Sequence, residues 1–214
     1  MFHAFRRYFL PKIRILGGYL FRYASVRVYA FDLRHVTGIS TSLQIVRSDD
    51  FLTDERLRQA MQESGDWDET ELKRRQTLGD VGYFVIDGGR YVHYSWVTRR
   101  LRQNTEVGFK ATPDDTQPWI YNSYTAPTHR GRLIYPHVIQ YIAQESQKQH
   151  GRFLWIDIED SNRSSVHGIA SVGFVDVAVW EKTTLLSRFD WDRRKTILNA
   201  RLGEEFDRMS PQWT

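Results

Sequence analysis

The sequence contains no cysteine among its 214 residues. This absence excludes disulfides, thiolate nucleophiles and zinc sites built on thiolates, and it is compatible with a cytoplasmic protein. The seven histidines are scattered. They form no pair at helical i, i+4 spacing, and no carboxylate cluster lies beside one, so we expect no metal site.

Long hydrophobic runs are also lacking. No stretch approaches the ~18–20 apolar residues that a membrane-spanning helix needs. The longest uncharged stretch near the N-terminus lies between Arg14 and Arg22, where Gly17 and Gly18 interrupt it. It is marginal for the apolar region of a secretory signal. We therefore expect neither a membrane span nor a cleaved signal.

Basic residues are concentrated at the N-terminus. The first 31 residues carry six basic and no acidic side chains, so the rest of the chain is net −2 although the whole is +4. We divide the chain into a basic, aromatic arm or helix at 1–24, a main domain at 25–182 and a C-terminal extension at 183–214. The arm either packs on the domain or contacts an anionic membrane surface. Nucleic-acid binding is unlikely, because no recognised motif accompanies the arginines.

Hydrophobic patterns in the first half predict strands and helices in alternation. Residues 25–33 alternate as a strand does, and helical spacing predicts helices over 51–63 and Glu69–Leu78. Two β-prone runs, 81–86 and 91–97, flank an Asp-Gly-Gly-Arg sequence that is a strong hairpin signal. The first half is thus predicted to contain a pair of neighbouring antiparallel strands.

The second half reads as a parallel crossover. A strand at Trp119–Thr125 precedes a helix that runs to about residue 148, and a buried strand follows at 153–158. Strand, helix and strand of these lengths form a right-handed, parallel βαβ unit. A short helix at 164–172 and a strand at 175–180 come next. The fold class is therefore α/β with a mixed sheet, antiparallel in its N-terminal part, and with helices on both faces.

The turn between the strand at Trp119–Thr125 and the following helix carries the strongest functional signal. The first amide N–H groups of a helix have no internal partner, and the helix dipole favours an anion there. Arg130 and Arg132 add positive charge beside it. The alternative is a plain turn made by Pro127 and Gly131, with solvated arginines.

Two motifs resemble those of the GNAT superfamily of acyl-CoA-dependent N-acyltransferases over residues 26–180. The first is the pyrophosphate loop, here Arg130-Gly131-Arg132-Leu133-Ile134-Tyr135. The second is Asn162-Arg163-Ser164-Ser165, followed at the family's spacing by Gly173-Phe174. Leu133 and Tyr135 stand where the family has small residues, so their side chains are expected to point away from the phosphates.

The resemblance implies that acetyl-CoA is the acyl donor and that the acceptor is a primary amine of a small molecule, with amino sugars among the candidates. Direct attack would take place in a ternary complex. The residues that the resemblance assigns to CoA binding are Ser123, Tyr124, Thr125, Arg130, Gly131, Arg132, Leu133, Ile134, Tyr135, Asn162 and Ser165.

Acyl transfer to an amine needs a base for the ammonium proton and a proton for the leaving thiolate. Asp157 and Glu159, on one face of the strand at 153–158 and its end, are the candidates for the base. The family's tyrosine acid corresponds to Ile169, which has no hydroxyl. Tyr124, Tyr121 and Ser165 are therefore the candidate proton donors, and the alternative is that the thiolate leaves with the help of water.

Two other functions fit the same sequence. A domain that binds acyl-CoA without transferring the acyl group would explain the departures at Leu133, Tyr135 and Ile169. A peripheral membrane or nucleic-acid-binding protein would act through residues 1–24 instead. Acetyl-CoA binding and deletion of the arm distinguish the three functions.

Overall fold

The computed structural model describes residues 21–38, 41–185 and 189–209. The strands are β1 (Phe21–Asp32), β2 (Gln44–Ser48), β3 (Val81–Asp87), β4 (Arg90–Thr98), β5 (Arg102–Asn104), β6 (Phe109–Ala111), β7 (Trp119–Thr125), β8 (Phe153–Glu159), β9 (Val175–Leu185) and β10 (Phe189–Ile197). The α-helices are α1 (Glu55–Ser64), α2 (Glu69–Leu78), α3 (Ile134–Lys148), α4 (Arg163–Ala170) and α5 (Ala200–Met209). Short 3-10 helices lie at Leu33–His35 and Pro127–His129.

Eight strands form one sheet in the order β10-β9-β1-β8-β7-β4-β3-β2, and β5 pairs with β6 separately. Only β7 and β8 run parallel among the paired strands of the described residues. The sheet is therefore mixed, as the sequence predicts. The β3–β4 hairpin is also confirmed, and its turn places Gly88 and Gly89 at φ of 55° and 79°, where glycine is favoured.

The first strand lies in the middle of the sheet. β1 pairs antiparallel with β8 on one side and with β9 on the other. It includes residues 21–24, so the boundary drawn at residue 24 falls within it, whereas residues 1–20 of the expected arm lie outside the described residues. β9 crosses the boundary at 182, and β10 then extends the same sheet.

Helices cover both faces of the sheet, which confirms the expected layers. One face packs on α3 and α4, through apolar residues such as Val138, Ile142 and Ile169. The other face packs on α1, α2, α5 and the β5–β6 hairpin. The strands divide between the two layers by alternation: in β8, Leu154 and Ile156 join the first layer, and Trp155 between them joins the second.

The large aromatic residues of the central strands belong to this core. Tyr83, Phe84, Tyr94, Trp96 and Trp119 are each 0% exposed. Phe84 and Trp96 make an edge-to-face contact, with their ring centroids 5.7 Å apart. The core therefore fixes the positions of β4 and β7, the two strands beside the predicted site.

Candidate active site

The two parallel strands separate towards their carboxyl ends. β7 pairs with β8 only where Trp119 faces Trp155 and Ile120 faces Ile156. Both strands continue, to Thr125 and Glu159 respectively. Within the described part of the chain, the edge of β7 that faces β8 has no ladder partner beyond Ile120. Unpaired strand backbone needs a hydrogen-bonding partner, so this gap suits an extended polar ligand.

A β-bulge in β7 accompanies the separation. Trp96 of β4 pairs with Tyr121, and Tyr94 pairs with Tyr124, so β7 contains one more residue than β4 across this interval. Asn122 lies in the bulge with φ of 44°, a left-handed conformation. A bulge bends its strand and redirects side chains, which makes it a common feature beside functional sites.

The loop after β7 presents free amide groups. Gly131 and Leu133 have φ of 77° and 57°, and Leu133 is the N-cap residue of α3 with no side-chain cap. No acceptor in the described residues receives a hydrogen bond from the backbone N–H groups of residues 131–135. The loop therefore leaves several donors at the positive end of a 15-residue helix, as anion binding requires.

The side chains of the loop point in several directions. Arg130 Nε donates to the carbonyl oxygen of Thr125 at 3.1 Å, which holds this guanidinium at the end of β7. Arg132 lies 4.0 Å from Asp87 and is largely exposed. Leu133 is 63% exposed. Tyr135 turns towards α4 and packs on the core layer of α3.

Asn162 and Ser165 lie at the start of α4, beside the carboxyl end of β8. The Oδ1 atom of Asn162 accepts from the backbone N–H of Ser165 at 3.2 Å and from the hydroxyl of Ser164 at 3.1 Å. Asn162 is thus a helix N-cap. The carboxyl ends of parallel strands lie at one edge of the sheet, so the end of β7, its loop and the start of α4 lie at the same edge.

Asp157 occupies a position that argues against its expected role as general base. Its two oxygens accept from Arg102 at 2.6 and 2.7 Å, from Asn104 Nδ2 at 2.9 Å and from Trp119 Nε1 at 2.8 Å. Burial alone would raise the pKa of Asp157, but the charge and hydrogen bonds of Arg102 hold that pKa below its usual range. A saturated carboxylate with a low pKa is a poor proton acceptor, and this one fastens the β5–β6 hairpin to β8.

Glu159 lies apart from Asp157, although the two residues share a strand face. It is exposed, and its carboxylate accepts a long hydrogen bond of 3.4 Å from the hydroxyl of Ser161. It lines a cavity of about 470 Å³ at the carboxyl end of β8. Other residues that line this cavity are Arg22, Tyr23, Ala24, Ser25, Glu106, Asp160, Ser161 and Arg163. Of the two predicted carboxylates, Glu159 is therefore the accessible one.

The expected tyrosine donor lies on the opposite face of β7 from the α3 layer. Tyr124 stacks on Tyr94, with the ring centroids 5.3 Å apart, in the layer that packs on α1 and α2. Tyr121 lies in the same layer, and its hydroxyl donates a hydrogen bond to Asp80. Ile169, at the family's acid position, is fully buried.

The sequence did not predict a group of hydrogen-bonded polar residues on β4 and the end of β7. His93 and Ser95 of β4 form hydrogen bonds with Thr125 and Ser123 of β7. The available signal was the alternation of His93 and Ser95 with large aromatic residues, which places two polar groups on one buried face of a strand.

Solved structures similar to this chain include proteins of the GNAT family. A GCN5-related N-acetyltransferase from Sphaerobacter thermophilus aligns with a TM-score of 0.57 at 13% identity, covering 82% of this chain and 56% of that one. A GNAT-family protein from Novosphingobium aromaticivorans aligns at 0.56 and 18% identity, covering 76% and 63%. A tandem GNAT protein from the clavulanic acid biosynthesis pathway aligns at 0.50 and 15% identity, covering 82% and 58%.

The chain therefore has the GNAT fold, which confirms the expected fold class. It spans less than two thirds of the length of these structures. No protein-family model matches the sequence, and no curated protein matches it.

Neither a membrane-spanning helix nor a group of three potential metal ligands is found in the described ranges. No helix there is long and apolar enough to cross a membrane. Across the same residues, no three His, Asp or Glu side chains lie together as potential metal ligands.

Proposed function

We propose that the chain is an acyl-CoA-dependent N-acyltransferase that transfers an acetyl group to a primary amine of a small polar acceptor. The observation that carries this proposal is the opening between β7 and β8, which leads directly to the unpartnered amides of residues 131–135. An elongated ligand with a pyrophosphate at one end matches both features. The GNAT fold adds the expectation that this ligand is an acyl-CoA.

Different parts of the chain bind different parts of acetyl-CoA. The amides of residues 131–135 and the dipole of α3 hold the pyrophosphate, and Arg130 adds a full charge. The free edge of β7, from Tyr121 to Thr125, pairs with the amide-containing arm of the ligand and orients the thioester. When bound, acetyl-CoA supplies the activated acetyl group.

The acceptor enters from the cavity at the end of β8. Of the carboxylates that line it, Glu106 and Asp160 are paired with Arg22 and Arg27, so Glu159 is the one that can attract a protonated amine. Its volume of about 470 Å³ suits a small molecule. Glu159 is exposed there and takes the ammonium proton, directly or through water. An amino sugar is the acceptor class that we favour.

Acetyl-CoA binding tests the proposal most directly. Isothermal calorimetry of the chain with acetyl-CoA should give saturable binding. Arg130→Glu should weaken it by about tenfold or more, because a negative charge replaces a charge-assisted contact beside the pyrophosphate. Arg194→Glu is the matched control: Arg194 is exposed on β10, four strands away from β7 in the sheet, and its reversal should leave the affinity unchanged.

A chain that shows no heat of binding with acetyl-CoA, while it remains folded by circular dichroism, would contradict the proposal. Equal losses in the Arg130 and Arg194 variants would mean that net charge alone is responsible.

Binding without transfer is the second candidate, and the buried, hydroxyl-free Ile169 favours it. Release of free thiol from acetyl-CoA over a panel of amino sugars, polyamines and amino acids separates the two functions. An acyltransferase should release thiol with at least one amine, and Glu159→Gln should lower that rate by about a hundredfold or more at neutral pH. Binding with no thiol release across the panel would support the second candidate.

A further inference from the structure

A chain of hydrogen bonds runs through the core between β4 and the end of β7, next to the loop at residues 130–135. Thr125 Oγ1 lies 2.8 Å from His93 Nδ1, His93 Nε2 lies 2.9 Å from Ser95 Oγ, and Ser95 Oγ lies 2.7 Å from Ser123 Oγ. His93 and Ser95 are both 0% exposed, whereas Ser123 is exposed and Thr125 is half-buried. The four side chains therefore connect two points on the surface through the interior.

His93 is a neutral imidazole at its centre. Both of its ring nitrogens contact hydroxyl groups, and its neighbouring aromatic ring is that of Tyr135, 6.1 Å away. Burial lowers the pKa of His93 to about 3, so the ring does not act as a base at neutral pH. A neutral imidazole has one N–H donor and one acceptor nitrogen.

The hydrogen bonds from Thr125 to Ser123 can run in either donor direction, depending on which tautomer His93 adopts. A hydroxyl both donates and accepts, so either tautomer completes all three hydrogen bonds. With the proton on Nε2, His93 donates to Ser95 and Ser95 donates to Ser123. The hydroxyl proton of Ser123 is then free to point outwards to a ligand.

Ser123 stands where a ligand between the strands would pass. It follows Asn122 in the bulge of β7, in the segment that is no longer paired with β8. Its hydroxyl bonds to Ser95, so its side chain lies on the face of β7 that packs on α3 and α4. Ile169 belongs to that same layer and offers no hydroxyl.

We propose that the Ser123 hydroxyl, oriented by His93 through Ser95, is the proton donor to the leaving thiolate. This inference rests on the proposed acyltransferase function. Ser123 is then a catalytic residue, and His93 and Ser95 are positioning residues that restore its proton.

The step balances without an ionised histidine. As the acyl carbon–sulfur bond breaks, its electron pair stays on sulfur, and the proton of Ser123 Oγ moves to that sulfur. Ser123 takes the proton of Ser95, and Ser95 takes the proton of His93 Nε2. His93 Nδ1 takes the proton of Thr125, and Thr125 takes one from water. The hydroxide left by that water is neutralised by the second proton that the acceptor nitrogen loses as the amide forms. Water at the exposed Ser123 end reverses these transfers once the product has left, which restores the first tautomer.

The thiol pKa of bound CoA tests this proposal without knowledge of the acceptor. CoA is titrated in complex with the protein, and ultraviolet absorbance of the thiolate is followed against pH. A hydrogen bond from Ser123 stabilises the thiolate, so Ser123→Ala should raise the pKa of the bound thiol by about one to two units. Ser123→Thr, which keeps the hydroxyl, should retain the wild-type value. Ser48→Ala, on the distant edge strand β2, is the control for the loss of a serine.

His93→Gln tests the positioning role. Glutamine can occupy both hydrogen bonds, but its amide cannot exchange donor and acceptor as a ring does. It should raise the thiol pKa and lower kcat, leaving the KM for acetyl-CoA unchanged. Long-range nitrogen-15 NMR of the wild-type chain gives a second measurement. His93 should stay neutral at pH 5, and its tautomer ratio should change when CoA binds.

The possible outcomes separate this proposal from the function on which it rests. Failure of the wild-type chain to bind CoA overturns both. CoA binding with the same thiol pKa in Ser123→Ala and wild type overturns the proton-donor role alone, because a purely structural hydrogen-bond chain would alter stability and not the thiol. If His93→Gln does not fold, Ser123→Ala and Ser95→Ala decide the matter, since each removes only a hydroxyl.

Discussion

The ring of Tyr135 lies against Gly168, so close that a β-carbon at residue 168 would stand 2.8 Å from Tyr135 Cδ1. Tyr135 is the second residue of α3 and belongs to the loop segment at residues 130–135, and Gly168 lies within α4. The missing side chain at 168 therefore lets the loop settle on the neighbouring helix. Helix propensity alone disfavours glycine at residue 168, and the close contact with Tyr135 explains why it is there.

Gly168→Ala should consequently weaken both folding and binding. Alanine normally stabilises a helix interior by about 1 kcal/mol relative to glycine, but overpacking costs about 1–3 kcal/mol. We expect a net loss of stability by urea denaturation and weaker acetyl-CoA binding by calorimetry. In the Tyr135→Ala background the same change should stabilise the protein. Equal effects in the two backgrounds would show that the contact does not matter.

Leu133 should carry backbone strain. Its φ of 57° is a left-handed conformation that costs an ordinary residue about 1–2 kcal/mol, and its exposed side chain contributes little packing. Glycine adopts this conformation freely but loses more chain entropy on folding, by about 0.5–1 kcal/mol. Leu133→Gly should therefore raise stability slightly, by roughly 0.5 kcal/mol, and keep every loop amide.

Leu198→Gly is the matched control, because Leu198 is also exposed but has no positive φ. It should destabilise the protein in the same urea measurement. A loss of stability at both positions would mean that the backbone at Leu133 is not strained.

Local signals explain most of the elements that the sequence predicted. Helix α2 has the expected bounds, because Asp68 caps its start and Gly79, with φ of 71°, ends it. Strands β2 and β10 were not predicted. In β10 burial does not alternate, and its place depends on pairing with β9, which local pattern cannot show.

The same distinction holds at the candidate site. The loop at residues 130–135 was predictable, since its motif is continuous in sequence. The environment of Asp157 was not, because Arg102 and Asn104 lie 55 and 53 residues away. A carboxylate between apolar residues of a strand predicts either a base or an ion pair. Only the long-range fold decides between them.

The Arg102–Asp157 pair should matter for stability more than for proton transfer. Asp157→Asn leaves the Arg102 charge buried without its partner, which should cost about 3–5 kcal/mol in urea denaturation. The double variant Arg102→Met, Asp157→Leu should recover much of that loss, because it removes both charges.

Where Asp157→Asn stays folded and active, the pH dependence of kcat should keep its wild-type shape. Loss of the acidic limb in this variant, with an unchanged limb in Glu159→Gln, would assign the base to Asp157 after all.

His93 should make the stability of the protein depend on pH between about 6.5 and 3. Its pKa is about 3 in the folded chain and near 6.5 in the unfolded chain, so the unfolded state binds the extra proton within this window. The free energy of unfolding should thus fall with decreasing pH, by about 1.4 kcal/mol per pH unit from this residue. The contribution is fully present above pH 6.5.

Between pH 6.5 and 5 this effect is measured as the difference between wild type and variant. Carboxylates with lowered pKa values such as Asp157 titrate below this interval, and Asp80, whose pKa is raised by burial, contributes equally to both proteins. Urea denaturation of wild type across the interval should show the slope, and His93→Gln should remove it. His150→Gln, at an exposed histidine after α3, should keep it. A slope that survives in His93→Gln would mean that His93 is protonated inside the folded protein, and the neutral relay to Ser123 would then fail with it.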